Sequence, residues 1–550
     1  MRKKGFIFPG VIAATILVTM GIMAQTADHH DFNELQRSFN RPEDVTITCL
    51  GCHNLADDQI MKTSHWLWYR KTDKLPGHKG EMMKVGKINI INNFCVAISS
   101  NEPRCTSCHI GYGWKDENFD FTDQTKIDCL VCHEQTGTYE KFPTGAGYPP
   151  EKRKFFKGGK KWFERPDYRK ISQSVGKPSR KNCGSCHFYG GGGNAVKHGA
   201  LDKSLLNPER SIDVHMGKDG GEMVCVDCHV APKHDIKGQL YSVSVENRDR
   251  LHCTRCHTMK PHTQKLYVEE FETEQKMGYD LFKSKLYKRE KPEDNFIHRI
   301  LDKHYDKLSC QACHINMYST EYKTKLWWDW SMAGKKNEKG KPFVIKDEDG
   351  DKIYDSKKGE FKLGKNLVPE YRWFNGKVGH LLVGDKIDPD NEPIQINTIE
   401  GACGAPGSKI WPFKIMRGKQ LYDPENKTMI IPKLFGKKGS GAYWGDWDWD
   451  KAARAGMKAA GVEYSGKYEW IETEMFWPLT HLIQPKDNAL KCDDCHSRNG
   501  RLAGLEACWI PGRDRSLVLD ILGMLMLFGS IAGVIIHGFI RFSRSRKEEE

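Results

Sequence analysis

The sequence CGSCHFYGGGGNAVKHG at Cys183–Gly199 begins with a Cys-x-x-Cys-His motif, and the chain contains eight motifs of this kind. The other seven are CLGCH at Cys49–His53, CTSCH at Cys105–His109, CLVCH at Cys129–His133, CVDCH at Cys225–His229, CTRCH at Cys253–His257, CQACH at Cys310–His314 and CDDCH at Cys492–His496. The motif is the attachment signature of a c-type haem, in which two thiols form thioethers and the histidine binds the iron. Half of a zinc site would use the same residue types. Eight copies with one spacing favour haem, so we predict eight covalently bound c-type haems.

The residues that would hold these cofactors follow from the motifs. The thioether cysteines are Cys49, Cys52, Cys105, Cys108, Cys129, Cys132, Cys183, Cys186, Cys225, Cys228, Cys253, Cys256, Cys310, Cys313, Cys492 and Cys495. The proximal iron ligands are His53, His109, His133, His187, His229, His257, His314 and His496. Three of the 19 cysteines, Cys95, Cys403 and Cys508, lie outside the motifs and leave room for one disulfide pair.

The composition fits a chain that folds around cofactors. Its mean hydropathy of −0.64 is low, and porphyrins can take the place of an apolar core. Eight haems would add about 16 propionate charges to a protein of formal net charge +13. Because the cofactors offset the basic excess, we predict no nucleic-acid partner. The basic run Glu151–Lys161 has two interpretations, a solvated loop or a surface that steers an anion or an acidic redox partner.

The N-terminus carries an export signal. Arg2, Lys3 and Lys4 precede an apolar run that begins at Phe6 and ends near small residues at Ala24. Residues 1–24 are therefore predicted to be a signal peptide, with an uncleaved anchor as the alternative. Export agrees with the motifs, because c-type haems are attached outside the cytoplasm.

A second hydrophobic run, residues 517–540, is long enough to span a bilayer. The basic residues in the tail, 541–550, place that tail in the cytoplasm and the haem domain, 28–505, on the periplasmic side; residues 506–516 form a linker. We therefore predict a single-pass protein of the inner membrane. Gly529, Gly533 and His537 share one helical face. His537 either serves a membrane partner, as ligand to a shared haem b or as a hydrogen-bonding group, or is a histidine near the interface.

The spacing of the motifs predicts a mainly α multihaem cytochrome c with little regular sheet. Seven motifs lie between residues 49 and 314, where short helices and loops should surround the haems. The motif-free stretch 316–490 is rich in Trp and in turn pairs such as Asp349-Gly350 and Asn375-Gly376. Short β-hairpins are expected in 316–450, with a helix near Lys451–Gly461.

The sixth iron ligands separate an electron conduit from an enzyme. An iron with two strong protein ligands transfers electrons, whereas an open or weakly held position can bind substrate. Of the 14 histidines outside the motifs, His29 and His30, at the N-terminal edge, and His537, in the membrane helix, are not counted as ligand candidates. The predicted distal ligands are His65, His198, His215, His234, His262, His304 and His481. Weaker candidates are His78, His252, His298 and His380.

Several longer segments resemble the octahaem tetrathionate reductase family, which is related to the hydroxylamine oxidoreductases. They are GYGW at Gly111–Trp114, FDF at Phe119–Phe121, the opening segment Cys183–Gly199, DVHM at Asp213–Met216, KLSCQACHI at Lys307–Ile315, WPFKIMRGKQLYD at Trp411–Asp423 and HLIQPKDNALKCDDCHSRNGRL at His481–Leu502. The similarity extends in order from Asp44 to Leu505, and the membrane helix lies outside it.

The resemblance implies seven haems with two histidine ligands and one catalytic haem with a lysine ligand. That haem is the second along the chain, held here by Cys105, Cys108 and His109. A lysine amine binds iron only in its unprotonated form, which burial favours. The resemblance points to Lys177 as this lysine and to Lys197 as second choice, while the bare sequence favours a surface lysine in a Gly-Pro turn.

Three functional hypotheses follow. The first is a reductase that takes electrons from a quinol-linked membrane partner, such as a cytochrome b, and reduces tetrathionate, nitrite or hydroxylamine at the lysine-ligated haem. The second is an oxidase of hydroxylamine or hydrazine type that passes electrons to the membrane. The third is a non-catalytic electron conduit in which every haem has two histidine ligands.

Overall fold

The computed structural model describes residues 27–78, 80–94, 96–238, 251–264, 294–506 and 508–548. The predicted signal peptide and Cys95 lie outside these residues. Helix covers 29% of the chain and strand 18%. The expectation of little regular sheet was therefore wrong for the C-terminal half, although the N-terminal half matches it.

Short helices dominate up to His314. They are α1 (Pro42–Cys52), α2 (Ala56–Ile60), α3 (Ser64–Leu67), α4 (Glu102–Cys105), α5 (Leu130–His133), α6 (Tyr168–Gln173), α7 (Arg180–His187), α8 (Cys225–Cys228), α9 (Phe296–His304) and α10 (Cys310–His314). Two small hairpins accompany them, β1 (Arg70–Thr72) with β2 (Met83–Val85) and β3 (Lys154–Phe156) with β4 (Lys161–Phe163).

The stretch after His314 builds a nine-stranded sheet. Its members are β5 (Thr324–Asp329), β6 (Val344–Lys346), β7 (Lys352–Asp355), β8 (Gly359–Gly364), β9 (Glu370–Phe374), β11 (Ile394–Gln395), β13 (Lys409–Asp423), β14 (Thr428–Met429) and β15 (Glu469–Pro478). A separate hairpin joins β10 (Val378–His380) to β12 (Asn397–Ile399). The sheet runs in the order β11-β15-β13-β5-β8-β7-β6, and β9 and β14 also pair with β13.

The strand β13 is the centre of this sheet. Its 15 residues pair antiparallel with β15 from Phe413 to Tyr422 and parallel with β5 from Arg417 to Lys419. Most of its side chains are buried because the sheet is covered on both faces. A strand buried on both faces has no alternation of polar and apolar residues, so short hairpins were predicted here instead.

The predicted helix near Lys451–Gly461 is α12 (Trp449–Ala460), which follows α11 (Tyr443–Asp446). The Asp448 carboxylate caps its first turn by accepting a hydrogen bond from the backbone of Lys451. Gly461, at φ 68°, ends it in the left-handed conformation that glycine adopts without strain. The helix buries Ala453 and Met457 in the largest apolar core, together with Trp328 and Met475 from the sheet.

After α13 (Cys492–Cys495), the chain ends in α14 (Leu517–Glu548). The most apolar 18-residue window within Leu517–Arg544 has a mean hydropathy of 2.2, and none of it is buried against the rest of the described chain. In length and composition this helix is able to cross a membrane. The disulfide that the sequence left open joins Cys403 to Cys508, ahead of α14.

Candidate haem sites

Where a motif forms a continuous helix, its two cysteines and its histidine share one face. In the fourth motif, α7 carries Cys183, Cys186 and His187, and residues three and four apart lie on one face of a helix. The Ser179 hydroxyl starts this helix by capping the backbone of Asn182. The motif spacing thereby allows two thiols and one imidazole to bind the same haem.

Six of the motif histidines lie opposite a second histidine ring. The pairs and their centroid distances are His29–His53 at 6.3 Å, His65–His187 at 6.1 Å, His133–His234 at 6.3 Å, His215–His257 at 6.1 Å, His229–His481 at 6.2 Å and His304–His496 at 6.0 Å. An imidazole–metal bond is about 2 Å long, so two rings on opposite sides of one ion have centroids roughly 6 Å apart. These residues therefore fit an iron held between two imidazoles.

The outer nitrogens of the rings support the same geometry. Nδ1 of His133 lies 2.9 Å from the carbonyl oxygen of Gly176, and Nδ1 of His496 lies 2.8 Å from that of Pro511. His229 uses the carbonyl oxygen of Lys237 in the same way, at 2.9 Å. A backbone acceptor at one ring nitrogen fixes the ring and leaves the other nitrogen for a metal.

Five of the predicted distal histidines, His65, His215, His234, His304 and His481, stand in these pairs. His29, which was wrongly left out of the ligand candidates, faces the first motif. It sits in a short turn that Asp28 caps, at residues 29–31, and this turn packs against α6. Nothing in the sequence of this polar N-terminal segment indicated that His29 would pack against the haem domain.

His262 lies close enough to His314 to affect it electrostatically. Nδ1 of His262 is 2.9 Å from Asp302, whose carboxylate fixes the ring as a backbone carbonyl does elsewhere. The structure therefore places His262 in the neighbourhood of the seventh motif.

His198 and the weaker candidates have other surroundings. The ring of His198 packs on Trp477 at 4.9 Å, and His78 is 3.1 Å from Asp385. His380 is buried in β10, and His298 lies on α9. His252 directly precedes Cys253 of the sixth motif.

The second motif is surrounded differently from the six paired motifs. The ring of His109 is fully buried, and among the described residues its ring contacts are two phenylalanines and three tryptophans: Trp66, Trp68, Trp114, Phe119 and Phe121. Nε2 is 2.6 Å from the carbonyl oxygen of Trp66, and Nδ1 is buried with no partner in the described part of the chain. Burial lowers the pKa of His109 to about 3, which keeps the imidazole in the neutral form that binds metals.

A buried lysine lies at this motif, and it is not Lys177. The Nζ of Lys141 donates to the carbonyl oxygen of His109 and lies 2.9 Å from Asp128, with only 7% of the side chain exposed. Tyr112 and Tyr139 also donate to Asp128, at 2.8 and 3.0 Å. Lys141 follows the third motif in the sequence, so nothing in its position assigned it to the second motif. The fold brings it next to His109.

Lys177 lies elsewhere, at the fifth motif. Its side chain is 68% exposed, and its Nζ is 3.3 Å from Asp227, between Cys225 and Cys228. The structure therefore places Lys177 at the fifth motif and not at the second, where the resemblance had put it. Lys197, the second choice, lies over the ring of Trp477 at 4.7 Å, beside His198.

Contacts between motif thiols show which motifs are neighbours. Hydrogen-bonding neighbours are Cys49 with Cys129, Cys108 with Cys186, Cys183 with Cys225 and Cys253 with Cys310. Cys132 acts electrostatically on Cys183, Cys256 on Cys228 and Cys495 on Cys313. Together these contacts order the motifs as first, third, fourth, fifth, sixth, seventh and eighth, with the second attached at the fourth.

Repeated Cys-x-x-Cys-His motifs that meet paired histidine rings define a multihaem c-type cytochrome. The family described as bacterial cytochrome c matches residues 325–499. The crystal structure of an octahaem cytochrome c from Shewanella oneidensis is 40% identical, covering 87% of this chain and 95% of that one with a TM-score of 0.71. An uncharacterized protein of Archaeoglobus fulgidus is 24% identical over 266 residues, which are 41% of this chain and 88% of that protein.

The chain belongs to the octahaem cytochrome c family, as the resemblance to octahaem tetrathionate reductases led us to expect. It is a redox protein that binds c-type haems covalently.

Proposed function

We propose that this chain is a membrane-anchored, extracytoplasmic cytochrome with eight haems that reduces a small inorganic substrate at its second motif. The observation that carries the proposal is the contrast between His109 and the six motif histidines that face another imidazole. A bound haem supplies one-electron transfer, and it can also bind substrate where its iron lacks a second strong protein ligand. The paired histidines close that position at their sites, while the surroundings of His109 offer a lysine instead.

Lys141 replaces Lys177 in this proposal as the residue that completes the second site. The Asp128 carboxylate, 2.9 Å from Nζ, holds the Lys141 side chain at this motif, where its amine would bind iron once it is unprotonated. The hydroxyls of Tyr112 and Tyr139 hold Asp128 in position. The aromatic wall around His109 excludes water, which strengthens each electrostatic interaction inside the site.

Lys87 is a second basic residue near this motif, and it serves as the comparison for Lys141. Its Nζ lies 3.8 Å from the ring centroid of Trp68, and it acts electrostatically on both Cys108 and His109. Lys87 gives the second motif a positive environment. That environment would attract an anion such as nitrite or tetrathionate.

The apolar helix α14 supports the membrane anchoring, and the basic tail after it supports a cytoplasmic C-terminus. We propose that electrons arrive from a quinol-linked partner in the membrane. Gly529 and Gly533 would permit close approach of a partner helix, with His537 on the same face.

The test is a steady-state assay of the full-length protein with tetrathionate, nitrite and hydroxylamine, run in both directions. The proposal predicts reduction of at least one substrate, loss of most of that activity in Lys141→Ala and little change in Lys177→Ala. Oxidation of hydroxylamine without any reductive activity would favour the reverse reaction. No turnover in either direction would favour the electron conduit, for which the six histidine pairs are the structural argument.

A further inference from the structure

The eighth motif is tied to the start of the membrane helix by a short, cross-braced segment, residues 508–514, here called the collar. Nδ1 of His496 is hydrogen-bonded to the carbonyl oxygen of Pro511. The backbone at Gly512 lies so close that an added Cβ would be 2.2 Å from the carbonyl oxygen of His496. The collar therefore touches a predicted iron ligand directly, and only a glycine fits at its point of closest approach.

The collar is held rigidly to the haem domain. Cys508 is bonded to Cys403, and Ile510 packs into the apolar cluster that contains Leu502 and Leu505. The Arg513 guanidinium, 10% exposed, donates to the carbonyl oxygens of Leu502 and Cys508 and pairs with Asp514 at 2.7 Å. Asp514 in turn accepts from the backbone of Ile510 at 2.7 Å.

The membrane helix begins close to this braced point. Five peptide units separate Gly512 from Leu517, and an extended chain of that length spans at most about 18 Å. Trp509, on the collar, exposes 54% of its surface. Tryptophan is enriched where a protein meets the interface of a bilayer.

We propose that the collar holds the eighth motif against the lipid surface and makes it the place where electrons enter from a lipid-soluble hydroquinone. Oxidation of one hydroquinone to the quinone releases two electrons and two protons. With haems bound, the two electrons would reduce two ferric irons to the ferrous state, and the protons would pass to water. The inference rests on the proposed membrane anchoring and takes the hydroquinone itself as the membrane electron donor. It does not depend on the substrate or on the chemistry at His109.

The first test is photo-crosslinking of the full-length, haem-loaded protein in phosphatidylcholine liposomes. A benzophenone amino acid replaces Trp509 or, as the matched control, Trp162, which exposes 52% of its surface on the hairpin of β3 and β4. The proposal predicts lipid adducts at position 509 that exceed those at position 162 at least about tenfold. Equal labelling at the two positions would overturn it.

The second test moves the collar away from the bilayer. A ten-residue Gly/Ser spacer between Ser516 and Leu517 adds roughly 17 Å of mean reach, and the same spacer between Gly340 and Lys341, in an exposed turn, is the control. With duroquinol in the bilayer, haem reduction followed by absorbance should slow at least about tenfold in the first variant only. Reduction by dithionite should stay complete in both.

An unchanged rate in the first variant, or no reduction of the unmodified protein by duroquinol, would contradict the proposal. Both tests report on lipid contact and haem reduction. They therefore keep their meaning if the substrate assays fail.

Discussion

The rings of His29 and His53 lie 6.3 Å apart with their planes tilted by only 15°, which places an N-terminal histidine opposite the first motif. His29→Ala should therefore remove one strong ligand from the first haem and leave attachment through Cys49 and Cys52 intact. We expect one low-spin signal to be lost from the electron paramagnetic resonance spectrum of the ferric protein. His30→Ala is the matched control and should leave the spectrum unchanged. An unaltered spectrum in His29→Ala would show that His29 does not bind the iron of the first haem.

Lys414 is a fully buried lysine that holds the segment before His198 on the sheet. Its Nζ donates to the carbonyl oxygens of Val196 and Lys197, both at 2.8 Å, and to the Thr324 hydroxyl at 2.6 Å. Lys414→Met removes these three hydrogen bonds, which should cost about 2–4 kcal/mol of the free energy of unfolding. Thermal unfolding measures the loss. Lys419→Met, on the same strand and partly exposed, should change the midpoint little.

Glu43 links the first motif helix to residues Lys126 and Tyr148. Burial opposes its ionisation, but the hydrogen bonds from Tyr148 at 2.6 Å and Lys126 at 3.1 Å outweigh burial and lower its pKa below 4.5. A lowered carboxyl pKa adds stability above the unfolded value, and this stability is lost as the pH falls through the folded value. Denaturant unfolding between pH 7 and pH 3 should therefore show a smaller acid-dependent loss in Tyr148→Phe. An equal loss in both proteins would exclude this contribution.

Asp302 orients the ring of His262 near the seventh motif through its carboxylate. Asp302→Ala should loosen the distal histidine there, and we expect the reduction potential of one haem to shift in a spectroelectrochemical titration. Asp306→Ala, four residues further along, is the control and should leave all potentials in place. Identical titrations in Asp302→Ala and the unmodified protein would show that His262 is not a ligand.

Local patterns predicted part of this molecule well. The eight motifs, the family and the helix α12 could all be predicted from short sequence segments, because haem attachment and helix capping depend on neighbouring residues. The long strand β13 could not, since both of its faces are buried and its partners β5 and β15 lie far away in the chain. His29 and Lys141 were missed for a related reason: each reaches its motif only through packing between distant segments. Lys177 was preferred because it precedes a motif, yet the fold turns its ammonium towards solvent and Asp227.

The claim that the second motif differs from the others is tested most directly by near-infrared magnetic circular dichroism of the ferric protein. Charge-transfer bands in this region distinguish an iron with two histidines from an iron with one histidine and one amine. We predict one amine-type band that disappears in Lys141→Ala and persists in Lys177→Ala and Lys87→Ala. A spectrum with histidine-type bands alone, unchanged in Lys141→Ala, would contradict the account.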